Sequence, residues 1–284
     1  MACPEEQVRE ATAPDGTNVH FDAPTPVGGR EPYTVECTPA SGSIFPIGES
    51  TVDCKVTDAD LVRAACGFTV RVTVSQTLAH TKFMAFGDSI TEGVTSLSPM
   101  MRLGPPDTYP YKLEQILLQS YPSQPITVSN QGESGERLDE GAERLPVVLD
   151  AEHPEVVLIL EGVNAVWLRS TSSQTRDLRT MIEAAQQRGV KTTLATLMPV
   201  GPKWEAKHPG SMDRIRALNT NIFTLAAQYN LGNVVDLFSL FEANMYLIGQ
   251  DDLHPTAEGQ TRIAEAFRDE IVRRYETHAT MSRR

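Results

Sequence analysis

The sequence predicts an α/β domain preceded by a small all-β module. Three observations carry this reading. All four cysteines lie between Cys3 and Cys66, period-two apolar alternation dominates the segment around them, and short apolar runs separated by helical periods take over from Lys82 onward. The change of pattern divides the chain into residues 1–76 and 77–284.

The first module reads as β throughout. Val52, Cys54 and Val56 alternate with Asp53 and Lys55, and Phe68, Val70, Val72 and Val74 alternate with Thr69, Arg71 and Thr73. Pro24, Pro26, Gly28, Gly29, Gly42, Pro46 and Gly48 punctuate the runs and no helical period intervenes, which predicts a small β-sandwich. Cys37, Cys54 and Cys66 share parity with inward-facing neighbours and are expected to face the core. An even cysteine set without CxxC pairs reads as disulfides rather than a zinc site, and disulfides imply an oxidising compartment. Met1 and Ala2 lead straight into polar residues, so a secreted or periplasmic protein whose export signal has been removed is expected.

In the second module the elements follow in order. Phe83 to Phe86 form a strand, and Tyr109 to Tyr121 form a helix with Leu113, Ile116 and Leu117 on one face. A strand at Ile126 to Ser129, a weaker helix at 139–150 and a strand at Val156 to Leu160 come next. Leu178, Met181, Ile182 and Ala185 mark a helix stopped by Gly189, and Thr193 to Leu197 a strand. Ser211 opens a helix carrying Ile215, Leu218, Ile222 and Leu225; Val234 to Leu237 form the fifth strand; Ile263, Phe267 and Ile271 mark the last helix. Five strands alternating with helices predict a parallel five-stranded sheet inside a three-layer α/β/α sandwich.

Composition excludes several roles. A net charge of −12, relieved only by the pairs Arg273-Arg274 and Arg283-Arg284, repels phosphate, so nucleic acid is not expected as a partner. No run approaches the roughly 18 apolar residues of a membrane span, since even Val156 to Leu160 stops at Glu161. HExxH, CxxC and Walker patterns are absent, so neither a metal nor another cofactor is expected.

In an open parallel sheet, ligands collect beyond the carboxyl ends of the strands. The loops there read Gly87-Asp88-Ser89-Ile90-Thr91, Asn130-Gln131-Gly132-Glu133-Ser134-Gly135, Glu161-Gly162-Val163-Asn164 and Asp251-Asp252-Leu253-His254-Pro255. A serine hydroxyl is a weak nucleophile without a base. His254 supplies one for Ser89, with Asp251 three residues earlier to orient the ring; Asp252 is the rival orienter. The backbone N–H groups of Ser89 and Gly132 and the Asn164 amide are the candidate oxyanion donors. His20, His80, His153, His208 and His278 lack a suitable neighbour, Ser134 reads as turn chemistry, and no GxSxG elbow occurs.

These residues carry two resemblances. The run CTPASGSIFPIGESTVDC followed by ACGFTV resembles the hyalin repeat, an immunoglobulin-like extracellular module. Four cysteines permit three pairings and sequence selects none of them; the reading leans to Cys3 with Cys66 and Cys37 with Cys54. FGDSIT (Phe86 to Thr91), Gly132 after a strand, Gly162-Val163-Asn164, and DxxH (Asp251 to His254) resemble the four blocks of SGNH or GDSL hydrolases, over about residues 80–275. That resemblance implies a flavodoxin-like fold and an esterase or lipase. By position it makes Ser89 the nucleophile, Gly132 and Asn164 partners of the Ser89 N–H in the oxyanion hole, and Asp251 and His254 the rest of a triad. Ala165 stands where many members carry aspartate, removing a hydrogen bond that helps hold this loop.

The expected activity is hydrolysis of short acyl or acetyl esters, including carbohydrate-linked ones, with the N-terminal module positioning the enzyme or binding polysaccharide. Two alternatives are a lysophospholipase or thioesterase for longer acyl chains, and a surface adhesion or carbohydrate-binding protein with a vestigial hydrolase domain. Two long loops, Gly93 to Asp107 with Met100, Met101 and Leu103, and Met198 to Gly210 with Trp204, are expected to border the site.

Overall fold

The computed structural model describes residues 1–74, 76–95 and 101–278. It comprises two compact units, Met1–Thr77 with Thr277 and His278, and Leu78–Glu276.

The first unit is built from β1 (Gln7–Glu10), β2 (Thr17–Asn18), β3 (Thr34–Thr38), β4 (Ile44–Phe45), β5 (Gly48–Thr57) and β6 (Arg63–Thr73). The main sheet has the order β1-β6-β5-β3; β5 is antiparallel to both neighbours, β1 runs parallel to β6, and β2 pairs with β4 separately. Alternation along β5 and β6 buries Val52, Cys54, Val56, Phe68, Val70 and Val72, and most of these join Val19 and Phe45 in one core. Disulfides join Cys3 to Cys66 and Cys37 to Cys54. Both Cys37 and Cys66 lie directly opposite Cys54 in the sheet, on β3 and β6.

The second unit centres on four parallel strands, β7 (Lys82–Gly87), β8 (Thr127–Gly132), β9 (Val156–Leu160) and β10 (Lys191–Leu194), in the order β8-β7-β9-β10. Among the described residues, eight helices surround and connect them: α1 (Ser89–Glu92), α2 (Tyr109–Ser120), α3 (Leu138–Glu152), α4 (Thr171–Gln187), α5 (Pro202–Lys207), α6 (Ser211–Gln228), α7 (Leu237–Glu242) and α8 (Ala257–Tyr275). Helices α2 and α8 pack together, with the Tyr109 ring stacked on Phe267 at 5.5 Å, and α4 packs against both α3 and α6. All five residues of β9 are buried, as a strand covered on both faces requires.

The fifth strand expected at Val234 to Leu237 is reduced to one parallel bridge between Ala195 and Val235. The Val235 N–H donates to the Leu194 carbonyl, and the Val235 carbonyl accepts from the Thr196 N–H. The ladder ends there because Asp236 accepts the Ser239 N–H and caps α7, turning the chain out of extended geometry.

Register places the site. Gly87 lies opposite Gly132 on one side and Leu160 on the other, so β7, β8 and β9 end level and the loops after them leave from one edge. That edge includes the β7/β9 crevice, where the strand order reverses. Among the described residues, no helix is long and apolar enough to cross a membrane.

Candidate active site

Ser89 is the first residue of the single-turn helix α1 and is 4% exposed. Asp88 caps that helix, its carboxylate accepting the N–H of Ile90 at 3.0 Å and that of Gly162. Burial pushes the Asp88 carboxyl up to about 6, against the pull of those N–H groups and of His254. Asp88 thereby ties the serine turn to the loop that carries Asn164.

The short segment from Asp251 to His254 folds on itself. Asp251 Oδ1 accepts the N–H groups of Leu253 at 3.1 Å and His254 at 3.0 Å, while Oδ2 lies 2.6 Å from His254 Nδ1. With the Nδ1 proton given to Asp251, Nε2 is the acceptor for the Ser89 hydroxyl, 2.9 Å away. Burial alone would raise Asp251, but the hydrogen bonds from the His254 ring and backbone and from Leu253 outweigh it and hold the carboxyl below its usual value. Asp252, the rival orienter, takes a left-handed φ of 61° and accepts the Lys203 N–H at 2.6 Å.

Asn164 sits in the 3₁₀ turn Val163–Ala165, where its Nδ2 donates to the Glu136 carbonyl at 2.9 Å. One amide hydrogen is thus engaged and the other is available to a ligand. Glu136 in turn is held by Arg144, with contacts of 2.6 and 2.5 Å, and the guanidinium lies 4.0 Å over the Phe86 ring. The Asp88 and Glu136 contacts hold this loop without a carboxylate at 165, and the Ala165 side chain is buried.

Gly132 does not reach the cavity. It is the last residue of β8, its N–H donates to Asn130 Oδ1 at 3.0 Å, and a Cβ there would stand 2.0 Å from the Glu92 nitrogen, so glycine is needed for packing against α1. Gly135, three residues on, lines the cavity with φ of 83°. The N–H groups of Ser89 and Gly135 donate to no acceptor among the described residues. Two glycines in one strand-to-helix loop were the available signal, and choosing between them required knowing where β8 stops.

The cavity measures about 550 Å³ and brings together Ser89, Asn164, Asp251 and His254 with Ser134 and Gly135. Helix α5 contributes Lys203, Trp204 and Lys207, of which sequence reasoning singled out only Trp204. Of the other expected border, Gly93 to Asp107, Val94 lines the cavity and Leu103 does not, while Met100 and the Met101 side chain lie outside the described residues. Beneath the Asn164 loop, Glu161 is 2% exposed, and neither of its carboxyl oxygens has a hydrogen-bond partner among the described residues. Burial first, then repulsion from Glu136 and Asp88, push it well above the usual carboxylate range.

A hydroxyl, an imidazole and a carboxylate in line beside free N–H donors, on the carboxyl edge of a three-layer α/β sheet, are the arrangement of a serine hydrolase. The chain belongs to the GDSL-like lipase/acylhydrolase family, which residues 85–262 match, and residues 1–72 match the HYR domain. No curated protein matches the chain in sequence. Among solved structures, the lipase/acylhydrolase from Enterococcus faecalis is similar in fold with a TM-score of 0.59 and 23% identity, over 69% of this chain and 97% of its own. The acetyl xylan esterase AlAXEase superposes with a TM-score of 0.54 and 21% identity, over 66% and 97%. The psychrotrophic esterase EstA from Pseudoalteromonas sp. does so with 0.53 and 19%, over 67% and 96%. At these identities the likeness is one of fold.

Proposed function

We propose that the protein hydrolyses short acyl or acetyl esters, including carbohydrate-linked ones, through an acyl-Ser89 intermediate. The observation that carries this reading is the pair of contacts on the His254 ring, 2.9 Å to Ser89 Oγ and 2.6 Å to Asp251 Oδ2. Ser89 Oγ attacks the ester carbonyl carbon as its proton passes to His254 Nε2, and Asp251 stabilises the imidazolium. The electron pair displaced onto the carbonyl oxygen is met by the N–H groups of Ser89 and Gly135 and by the Asn164 amide, Gly135 replacing Gly132 in the donor set read from sequence. The bond to the alcohol oxygen then breaks and the alcohol leaves with the proton from Nε2. A water attacks the acyl-enzyme, its proton passing through Nε2 to Ser89 as the carboxylic acid departs.

The cavity of about 550 Å³ has room for an acyl group together with its alcohol, and the preference for small acyl groups is supported by the acetyl xylan esterase on the same fold. We take residues 1–76 as a module that positions or attaches residues 77–284, the enzyme, and the two disulfides support a secreted or periplasmic location.

The test compares initial rates on p-nitrophenyl acetate, butyrate and octanoate for the protein and its Ser89→Ala variant, matched for folding by circular dichroism. Activity that is highest on acetate and vanishes with Ser89 is the expected result. A preference for octanoate moves the assignment to a lysophospholipase or thioesterase. Equal activity in both proteins removes Ser89 as nucleophile, and inactivity of both favours the binding-protein alternative.

A further inference from the structure

Helix α5 presents two ammonium groups and an indole at the cavity wall. The chain has six lysines and two tryptophans, so two of the six lysines and one of the two tryptophans gather at one site. Both lysines are exposed and both are held by neutral groups. Lys203 Nζ donates to the Gln250 carbonyl at 2.9 Å, and Lys207 Nζ stands 5.7 Å from the centre of the Trp204 ring. Neither lysine makes a salt bridge to a carboxylate among the described residues.

The acidic groups nearby are already engaged. Asp251 accepts from His254 and Leu253, Asp252 accepts the Lys203 N–H, and Glu205 accepts the N–H groups of Gly210 and Met212. The two cations are thus oriented without being neutralised by direct contact, on a protein whose overall charge is −12. Trp204 is itself braced: its ring meets Trp167 edge-on at 5.2 Å, and His208 lies 4.2 Å from Trp167 and 4.7 Å from Trp204. An aromatic wall with cations beside it suits a ring-shaped group that carries a negative charge.

We propose that Lys203, Trp204 and Lys207 form an anion-selective subsite, so that the preferred substrate is an ester whose alcohol portion is a carboxylate-bearing sugar ring. The proposal rests on the ester-hydrolase reading of the same cavity and adds the charge of the substrate to it. Lys203 and Lys207 are specificity-determining residues that pair with the carboxylate, and the indole covers one face of the ring. An exposed ion pair contributes a few-fold, so two together give a preference of about tenfold at low ionic strength, weakened by salt.

Both tryptophans lie in this aromatic cluster, so their fluorescence reports occupancy without any turnover. The experiment titrates the Ser89→Ala protein with methyl glucuronoside, whose C6 carboxylate is free, and, separately, with the neutral methyl glucoside, at low ionic strength. The expected result is a tryptophan response at concentrations about tenfold lower for the glucuronoside. That difference should disappear when Lys203→Gln and Lys207→Gln are added and persist with Lys203→Arg and Lys207→Arg. The arginine pair separates charge from packing, and circular dichroism checks the fold of each variant. Equal concentrations for the two glycosides, a preference for the glucoside, no response to either, or a preference that survives the glutamine pair overturns the subsite. Absence of ester hydrolysis by the unmodified protein on every substrate would instead overturn the ester-hydrolase reading, and the binding result would stand apart from it.

Discussion

Asp251 holds the His254 ring from the side opposite Ser89, with Oδ2 2.6 Å from Nδ1 while Ser89 Oγ is 2.9 Å from Nε2. The contact selects the tautomer in which Nε2 is free to take a proton. Asp251→Asn offers an amide where the carboxylate stood and reverses that preference. A fall in kcat of about 10⁴-fold is expected, with circular dichroism unchanged. Steady-state rates on p-nitrophenyl acetate measure it, and a loss under tenfold would remove Asp251 from the triad.

Asn164 lines the cavity with one amide hydrogen to spare. If that hydrogen meets the developing oxyanion, Asn164→Ala lowers kcat by about 10²- to 10³-fold and leaves KM nearly unchanged, because the contact strengthens in the transition state. A change confined to KM would assign Asn164 to ground-state binding alone.

The two glycines of the β8–α3 loop should respond differently. In Gly132→Ala the new Cβ meets the α1 backbone at 2.0 Å, so folding itself should suffer and soluble yield or thermal midpoint should drop sharply. At Gly135 nothing lies within 4 Å of a Cβ, and Gly135→Ala meets only the left-handed backbone, at a cost of about 1 kcal/mol. Thermal melts of the two variants provide the comparison, and equal midpoints would refute it.

Glu161 links stability to pH. Its folded pKa is raised above the usual 4.5, so the stability carried by the neutral carboxyl is fully present below about pH 4.5 and is lost as pH rises through the folded value. Asp88, raised to about 6, contributes with the same sign between its usual 3.8 and 6. Glu161→Gln keeps the shape and cannot ionise. Its stability relative to the unmodified protein should therefore increase between pH 5 and pH 8 in urea denaturation, and a constant difference would contradict the raised pKa.

The disulfides lie wholly within the first unit, and the sequence after Cys66 contains no cysteine. Dithiothreitol should destabilise the first unit, by about 3 kcal/mol for the Cys37–Cys54 link alone. Esterase rates should stay the same. Rates measured beside a thermal scan decide this, and loss of activity on reduction would show that the enzyme depends on the first unit.

Much of this structure was legible locally. Alternation around Val52 and Phe68, the apolar run Val156–Leu160 and the periods of α2, α4, α6 and α8 are imposed by burial of one face or two, and sequence records burial directly. The short helices α5 and α7 left no such trace, since six residues are too few to establish a helical period. The fifth strand was overestimated for a related reason, because Asp236 reads as a polar strand residue until its capping bond to Ser239 is seen.

By itself, the sequence determined that a thiol-free α/β domain follows a cysteine-bearing β module, and that a serine, an asparagine and an Asp-His pair stand beyond strand ends. Tertiary structure alone decided which neighbours meet. Cys54 lies opposite both Cys37 and Cys66, and only the path of the N-terminal segment, which brings Cys3 to Cys66, leaves Cys37 for Cys54. Likewise Gly135 lines the cavity because β8 ends at Gly132, and Lys203 and Lys207 line it because α5 folds over the loop that holds His254. Periodicity along a chain reports which face is buried, whereas contacts between distant segments depend on where each element stops and how the elements pack.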